Sequence, residues 1–243
     1  MSFKVALFDL DGTVLNTLDD LADAVNTVLA TNKMPLRTCD EVRQFVGNGI
    51  AKLIERAVPN GTDDATVDKV VADFKTYYSA HSADKTAPYA GIPEMLGALR
   101  AAGVRTAVVS NKADFAVQPL VKRYFGDLFD MALGEDVEKR PAKPAPDMVR
   151  HVLETLGARA EDAVYIGDSD VDVLTAKNAG LSCIAVTWGF RDRECLKNAG
   201  ATVFADTPDE LRNLILGLER YKKSRHSAAF FIFPAVCRSW AEA

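Results

Sequence analysis

Two patterns of apolar positions divide the chain. Between residues 18 and 78, apolar side chains recur every three or four positions, as on one face of an amphipathic helix. This spacing predicts helices over about 18–29, 40–45, 50–57 and 64–78, and no strand between residues 15 and 82. From Pro88 onward, short apolar runs alternate with helical stretches instead. The first part is therefore predicted to be a small all-helical block.

A mostly parallel sheet is predicted for the rest of the chain. Apolar runs predict strands within 4–13, 104–111, 129–134, 162–170, 182–189 and 201–206, with helices over about 93–102, 114–125, 146–157, 171–180 and 208–222. Strands that alternate with helices pair in parallel and are covered on both faces. We expect an α/β domain formed by 1–14 and 83–222, interrupted by the helical block at 15–82 and followed by a tail, 223–243, of unclear structure.

Polar side chains collect where the predicted strands end. Asp9 and Asp11 follow the first strand in "KVALFDLDGT", and Ser110 ends the second. Further polar residues at such positions are Asn111, Lys112, Asp168, Ser169, Asp170 and Asp172. Lys143 lies in the loop "KRPAKPAP" ahead of a helix. Ligands of parallel sheets bind beyond the carboxyl ends of the strands, so these residues are expected to share one cleft.

This set of residues favours phosphoryl chemistry. Several carboxylates in one cleft repel unless a cation joins them, and Mg²⁺ prefers oxygen ligands. Ser110 and Lys143 complement a phosphoryl group. Asp9 can attack phosphorus as a nucleophile. Asp11, which lies on the same side if the strand continues, can give a proton to the leaving oxygen and later take one from water.

Composition narrows the classes of partner. The formal net charge of −5 argues against a general nucleic-acid binder. The four cysteines show no C-x-x-C pairing, which suits the reducing cytosol. No apolar stretch reaches the roughly 18 residues that span a bilayer. The first strand begins at once, which leaves no room for a signal peptide. We therefore expect a cytoplasmic protein, monomeric or homodimeric, with a small phosphorylated metabolite as its ligand.

The motifs closely resemble those of the haloacid dehalogenase superfamily of phosphatases. "DLDGT" resembles its first motif, Ser110 its second, Lys143 its third and "GDSDVD" its fourth. The resemblance implies a Rossmann-like core with an inserted α-helical cap. It also implies Asp9 as nucleophile, Asp11 as acid and base, and Ser110 and Lys143 as phosphoryl-holding groups. The implied metal ligands are Asp9, Asp11, Asp168 and Asp172.

Within that superfamily, "FVGNGIAKLIERAV" and "AAGVRTAVVSNK" look like phosphoglycolate phosphatases. The resemblance implies hydrolysis of 2-phosphoglycolate under a cap that closes and excludes water. A cap cation such as Lys52 or Arg56 would suit the substrate's carboxylate. The implied substrate-binding residues are Gly12, Thr13, Ser110, Asn111, Lys143, Gly47, Asn48, Gly49 and Lys52.

Several alternatives remain open at this point. Asp172 can be an ordinary acid in the first turn of a helix. Lys112 can be a surface lysine or face the phosphate, and Lys52 can be a solvated helix residue. The same core also serves pyrophosphatases, broad-specificity phosphatases, and phosphonatases with a cap lysine such as Lys33 or Lys52. A catalytically silent binding module is an alternative of another class. The presence of Asp9, Asp11 and Lys143 argues against it.

Overall fold

The structure is a computed structural model, and it describes residues 2–136 and 140–218. The predicted tail at 223–243 and the end of the last predicted helix lie outside the described residues. Within them, no helix has both the length and the apolar composition needed to cross a bilayer.

A six-stranded parallel sheet forms the centre of the molecule. Its strands are β1 (Val5–Phe8), β4 (Arg105–Ala113), β5 (Met131–Glu135), β6 (Ala163–Gly167), β7 (Ser182–Val186) and β8 (Phe204–Ala205). They lie in the order β5-β4-β1-β6-β7-β8. β1 is therefore flanked by β4 and β6, which confirms the predicted fold class. This order brings the carboxyl ends of β1, β4 and β6 side by side.

Both faces of this sheet are covered by helices. These are α5 (Ile92–Ala101), α6 (Asp114–Phe125), α7 (Asp147–Thr155), α8 (Asp170–Ala179), α9 (Arg193–Asn198) and α10 (Pro208–Leu216). In β1, Ala6 and Phe8 pack in one hydrophobic cluster, whereas Val5 and Leu7 pack in another on the opposite face. Successive strand residues point to opposite faces, so an unbroken apolar run is what a sheet buried on both sides needs.

The helical block consists of α1 (Leu18–Thr31), α2 (Cys39–Phe45), α3 (Gly49–Ala57) and α4 (Asp64–His81). Its apolar faces share a separate hydrophobic cluster, to which Ala116 and Phe190 of the α/β part also belong. The boundaries drawn between a core and a cap domain stay a prediction. The packing supports them because most of this cluster comes from the block itself.

Two short strands join the block to the sheet. β2 (Leu15–Asn16) pairs antiparallel with β3 (Ala87–Pro88), so both connections run side by side. The prediction of no strand between 15 and 82 is wrong at this point. A two-residue strand is too short to leave a periodic pattern in the sequence. Its partner strand also lies about 70 residues further along the chain, so no local signal predicts the pairing.

Other differences concern the ends of elements. The short helix α9 was not predicted, because its polar sequence lacks an apolar face of several turns. The helix α10 ends at Leu216, where Gly217 adopts a left-handed conformation, and residues 219–222 of the predicted helix lie outside the described residues. Pro119 lies inside α6, which is continuous over 114–125 as predicted.

Candidate active site

The segment after β1 delivers two carboxylates to one cavity. The strand ends at Phe8 and the chain then turns, with Gly12 at φ +83°. A Cβ atom at Gly12 would collide with the Asp168 carboxylate, so the turn needs glycine for its conformation and for its close approach. Asp9 and Asp11 both line the cavity. The predicted position of Asp11 required the strand to continue as far as residue 11, but β1 ends at Phe8. The turn, and not the strand, brings Asp11 to the same cavity as Asp9.

β4 supplies three polar side chains to the same cavity. Its register with β5 shifts between Val109 and Ala113, where β4 advances four residues while β5 advances two. Such irregularities re-aim side chains beside active sites. Ser110, Asn111 and Lys112 are all buried there, and all three line the cavity.

Two further carboxylates follow β6. Asp172 accepts hydrogen bonds from the Ser169 N–H (3.1 Å) and hydroxyl (2.6 Å), and Ser169 Oγ accepts the Asp172 N–H in return. This reciprocal capping box begins α8. Asp172 is thus both a first-turn acid and a member of the buried cluster. Asp168 accepts the Thr13 hydroxyl at 2.8 Å and the Phe190 N–H at 2.7 Å, which fix its orientation.

Lys143 occupies the middle of the carboxylates. Its Nζ lies 2.8 Å from Asp9 Oδ1 and 2.8 Å from Asp172 Oδ1. The ammonium donates a well-aligned hydrogen bond to Asp172, whereas its approach to Asp9 is an ion pair that lacks hydrogen-bond geometry. Asn111 holds the loop, because its Oδ1 accepts the Lys143 N–H and its Nδ2 donates to the Lys143 carbonyl.

Burial dominates the electrostatics of this cluster. Burial and the charge of Asp172 raise the pKa of Asp9 to about 7, although Lys143 opposes the shift. Burial and the charges of Asp172 and Asp9 raise the pKa of Asp168 to about 8, against the hydrogen bonds from Phe190 and Thr13. Burial disfavours the Lys143 ammonium, yet Asp172 and Asp9 raise its pKa well above the usual value.

The three buried carboxylates fit a divalent cation. The Lys143 ammonium pairs with Asp9 and Asp172, whereas Asp168 accepts only neutral donors in the described residues, so two negative charges remain when all three carboxyl groups ionise. One oxygen of each lies within 4.8 Å of the others. Asp9 Oδ1 is buried and, among the described residues, receives no aligned donor. Hard oxygen ligands with this excess charge suit Mg²⁺. The Asp11 carboxylate lies outside this set.

The helical block forms the roof of the cavity. Its lining side chains are largely apolar and include Leu21, Ile50, Leu53 and Phe74, and Tyr78 adds a hydroxyl group. The cavity leaves about 50 Å³ for the centres of water molecules. That is room for a few waters, since one needs roughly 10–15 Å³ on this measure. The closed arrangement therefore suits a small ligand.

Lys112 is held inside the site and is not a surface lysine. Its Nζ donates to the Tyr78 hydroxyl at 2.6 Å and lies 3.1 Å and 3.3 Å from the two oxygens of Asp11. Burial disfavours its charge, but Asp11 and Tyr78 raise the pKa of the ammonium above its usual value. Burial in turn raises the pKa of Tyr78 to about 12, so the phenol stays protonated.

The loop between α2 and α3 meets the α/β part through its main chain. The Gly47 carbonyl accepts a hydrogen bond from Asn111 Nδ2 at 3.1 Å. Gly49 begins α3 with φ +83°, and a Cβ atom there would contact the Glu135 carboxylate at 2.9 Å. Both glycines line the cavity, as their predicted substrate-facing role requires.

The polar side chains predicted beside these glycines lie elsewhere. Asn48 Oδ1 accepts from Arg56, whose guanidinium also donates to the Phe45 carbonyl. The Lys52 ammonium lies 2.5 Å from Glu55, and both side chains are more than half exposed. None of Asn48, Lys52 and Arg56 lines the cavity in this closed arrangement.

Sequence reasoning missed two residues of the site. Tyr78 is a buried residue of α4, and its position in the helical pattern indicates only packing. Arg191 follows β7 and reaches the block, where it donates to the carbonyls of Arg43, Gln44 and Val46 at 2.7, 3.3 and 2.7 Å. Its place just beyond the carboxyl end of a core strand is the signal that could have found it.

Comparison with known proteins places these motifs in a family. The family model described as "Haloacid dehalogenase-like hydrolase" matches residues 6–186. A phosphoglycolate phosphatase of Pseudomonas syringae pv. syringae is 35% identical over 225 residues, which are 88% of this chain and 79% of that protein. A phosphoglycolate phosphatase of Psychrobacter arcticus is 32% identical, over 89% of this chain and 97% of that protein.

Solved structures share the whole described architecture. A protein from Lactobacillus delbrueckii subsp. bulgaricus superposes with a TM-score of 0.84 and 37% identity, over 89% of this chain and 100% of that one. CbbY from Rhodobacter sphaeroides, solved in complex with phosphate, superposes with a TM-score of 0.69 and 27% identity, over 86% of this chain and 96% of that one. Both the sheet and the helical block therefore belong to the shared fold.

Proposed function

Because this chain belongs to the haloacid dehalogenase-like hydrolases and is a phosphatase, we propose that it hydrolyses 2-phosphoglycolate to glycolate and phosphate with Mg²⁺. One observation carries the chemistry: Asp9, Ser110, Lys143 and Asp168 line a single small cavity. The substrate rests on relatives that are named phosphoglycolate phosphatases. The complex of CbbY with phosphate supports a phosphorylated ligand for this chain as well.

The reaction begins with attack by Asp9. A carboxylate oxygen of Asp9 forms a bond to phosphorus while the bond from phosphorus to the ester oxygen breaks. Asp11 gives its proton to that departing oxygen, and an aspartyl-phosphate results. Water then attacks phosphorus, Asp11 takes up a proton from it, and the bond from phosphorus to Asp9 breaks. Both aspartates thereby return to their starting states.

The surrounding groups stabilise charge on the phosphoryl oxygens. The Lys143 ammonium and the Ser110 hydroxyl hold these oxygens at fixed positions, so little reorganisation is needed in the transition state. Asp9, Asp168 and Asp172 would hold Mg²⁺, with the Asp11 carbonyl as a further predicted ligand. When bound, Mg²⁺ offsets the carboxylates and the phosphoryl charge. The roof keeps bulk water away from these charges, which strengthens their contacts with the phosphoryl group.

The mechanism is tested with a generic aryl phosphate, with Mg²⁺ and with EDTA, beside Asp9→Asn. We expect turnover only with the metal, and a loss of roughly 10⁴-fold or more in the variant. Asp209→Asn is the matched control, since that side chain is exposed and pairs with Arg212. Turnover in EDTA, or an Asp9→Asn enzyme as active as the control, would contradict the mechanism.

The substrate is tested by kcat/KM over a panel that contains 2-phosphoglycolate, ethyl phosphate, pyrophosphate and larger sugar phosphates. We expect 2-phosphoglycolate to rank first. Equal values across the panel would identify a broad-specificity phosphatase instead, and a preference for pyrophosphate would identify a pyrophosphatase. A cytoplasmic location and a monomeric or homodimeric state stay predictions from the sequence.

A further inference from the structure

Lys112 is a buried cation to which the proposed mechanism assigns no step. It is 7% exposed, and its ammonium lies between Asp11 of the α/β part and Tyr78 of the helical block. Its Nζ also lies 4.6 Å from the centroid of the Tyr78 ring. Burying a lysine at the meeting point of two layers is costly unless its charge is used or paired.

The other cations that line the cavity are already committed. Lys143 lies between Asp9 and Asp172. The Arg191 guanidinium donates to three main-chain carbonyls of the block. Within the described parts of the chain, Lys112 is thus the lining cation that faces the proton donor Asp11.

The position of Lys112 matches the shape of the proposed substrate. The ester oxygen must lie against Asp11 to receive its proton. In 2-phosphoglycolate a single methylene separates that oxygen from the carboxylate. A carboxylate on so short a tether stays beside Asp11, and Lys112 Nζ lies 3.1 Å from an Asp11 oxygen.

Tyr78 adds a second donor at the same point. Its hydroxyl oxygen accepts from Lys112, because an ammonium group can only donate. In the described chain this is its one hydrogen-bond partner, so the Tyr78 O–H remains able to donate to a bound anion. The apolar neighbours Leu53 and Phe74 lower the local dielectric and strengthen such charge-assisted contacts.

We propose that Lys112 and the Tyr78 hydroxyl bind the substrate's carboxylate and thereby select esters with an anionic group one methylene from the ester oxygen. The inference rests on the proposed function, because it names the residues that recognise the leaving group of the proposed substrate. It assigns this recognition to a lysine of the sheet edge and a tyrosine of the roof, and not to Lys52 or Arg56.

The test compares 2-phosphoglycolate with ethyl phosphate, which carries a methyl group in place of the carboxylate. For Lys112→Met we expect kcat/KM for 2-phosphoglycolate to fall about 10- to 100-fold more than kcat/KM for ethyl phosphate, because the lost ion pair with Asp11 affects both esters whereas the lost charge-assisted contact with the carboxylate affects only one. Lys112→Arg should restore part of the difference. Lys122→Met, at an exposed position of α6, is the matched control.

Tyr78→Phe provides a second variant that keeps the ring packing and the charge. We expect a rise of about threefold to tenfold in KM for 2-phosphoglycolate and little change for ethyl phosphate. Equal losses on both esters in Lys112→Met and Tyr78→Phe would overturn the inference, because they would show an effect through Asp11 alone. If the unaltered enzyme already treats the two esters alike, the proposed substrate itself fails, which is a separate result.

Discussion

The floor and the roof of the cavity are built in opposite ways. The floor, at the carboxyl ends of β1, β4 and β6, buries Asp9, Asp168, Asp172 and Lys143 within one cluster. The roof, formed by the helical block, turns apolar side chains inward and keeps charged ones such as Lys52 outside.

This difference assigns the phosphoryl chemistry to the floor of the cavity and the choice among substrates to its roof. Paired charges in a buried floor act on any phosphoryl group, because they recognise only what all phosphate esters share. An apolar roof rejects by size, and it needs few polar contacts to choose among small substrates. Lys112 and Tyr78 lie where floor and roof meet. Variants of the floor should therefore affect all substrates alike, whereas variants of that contact should depend on the substrate.

After Asp9→Asn, the largest effect is expected from Lys143→Met, which removes the ammonium that pairs with Asp9 and Asp172. We expect kcat to fall by roughly 10³-fold or more on every ester, because the phosphoryl group loses a preorganised charge. In EDTA at pH 8 the variant should also be about 3–5 kcal/mol less stable, since buried carboxylates lose their partner.

Turnover and urea unfolding check this prediction, with Lys177→Met in an exposed turn of α8 as the control. A loss of activity confined to 2-phosphoglycolate would contradict the assignment of substrate selection to the roof, because the floor would then discriminate between esters.

The next effect concerns removal of the metal. The pKa values of Asp9 and Asp168 are raised to about 7 and about 8, so their contribution to stability in the metal-free protein is present at low pH. It is lost as the pH rises from about 4 through 8. Mg²⁺ competes with those protons, so its stabilising effect should grow over the same interval.

The measurement is the shift in Tm on adding Mg²⁺ at pH 8 and at pH 5.5. With Mg²⁺ at about 100 times its Kd at pH 8, linkage gives about 2.7 kcal/mol, or an upward shift of roughly 5–10 °C. At pH 5.5 the shift should nearly vanish. Equal shifts at both pH values would show that the cation binds away from the buried carboxylates.

Sequence reasoning identified the floor better than the roof for a physical reason. Asp9 and Asp168 each follow an apolar strand, and Ser110 comes directly after the apolar part of β4. The carboxyl ends of neighbouring parallel strands must share one edge of the sheet. Even in the floor, the predicted position of Asp11 required a longer strand, whereas a turn at Gly12 brings Asp11 into the cavity. The register shift in β4 is likewise a property of its pairing with β5 and leaves no local pattern.

The roof depends on tertiary contacts that no local pattern contains. Tyr78 has the same helical spacing as its packing neighbours, and only the assembled structure shows Lys112 beneath it. Lys52 follows a glycine-rich loop, yet the orientation of α3 turns it toward Glu55 and solvent. Helix existence is encoded locally, whereas the face that a helix presents to a separate layer depends on how the two layers pack.

A smaller effect is expected from Arg191→Met, which removes the hydrogen bonds between the loop after β7 and the main chain of the roof. Its guanidinium caps the carboxyl end of α2 and so holds the roof closed. We expect kcat/KM to fall by about tenfold, the equivalent of one lost charge-assisted contact. The amides of α2 and α3 should exchange hydrogen faster. Arg193→Met, at the first position of α9 and paired with Asp206, is the control. Unchanged exchange would show that the roof is held by its apolar contacts alone.

The smallest effect is expected from Lys52→Ala, which tests directly whether the roof contributes a charged group to substrate binding. The resemblance to phosphoglycolate phosphatases gives this cation to the substrate, whereas the structure pairs it with Glu55 at the surface. Exposed pairs of this kind contribute only about 0.2–1 kcal/mol to stability. Because Lys52 also lies outside the cavity, kcat/KM for 2-phosphoglycolate should change by less than about twofold. Glu55→Ala should match it, because both variants remove the same ion pair. A tenfold rise in KM for Lys52→Ala alone would mean that α3 turns this side chain inward when substrate binds. The roof would then supply charge as well as shape, and the division between floor and roof would not hold.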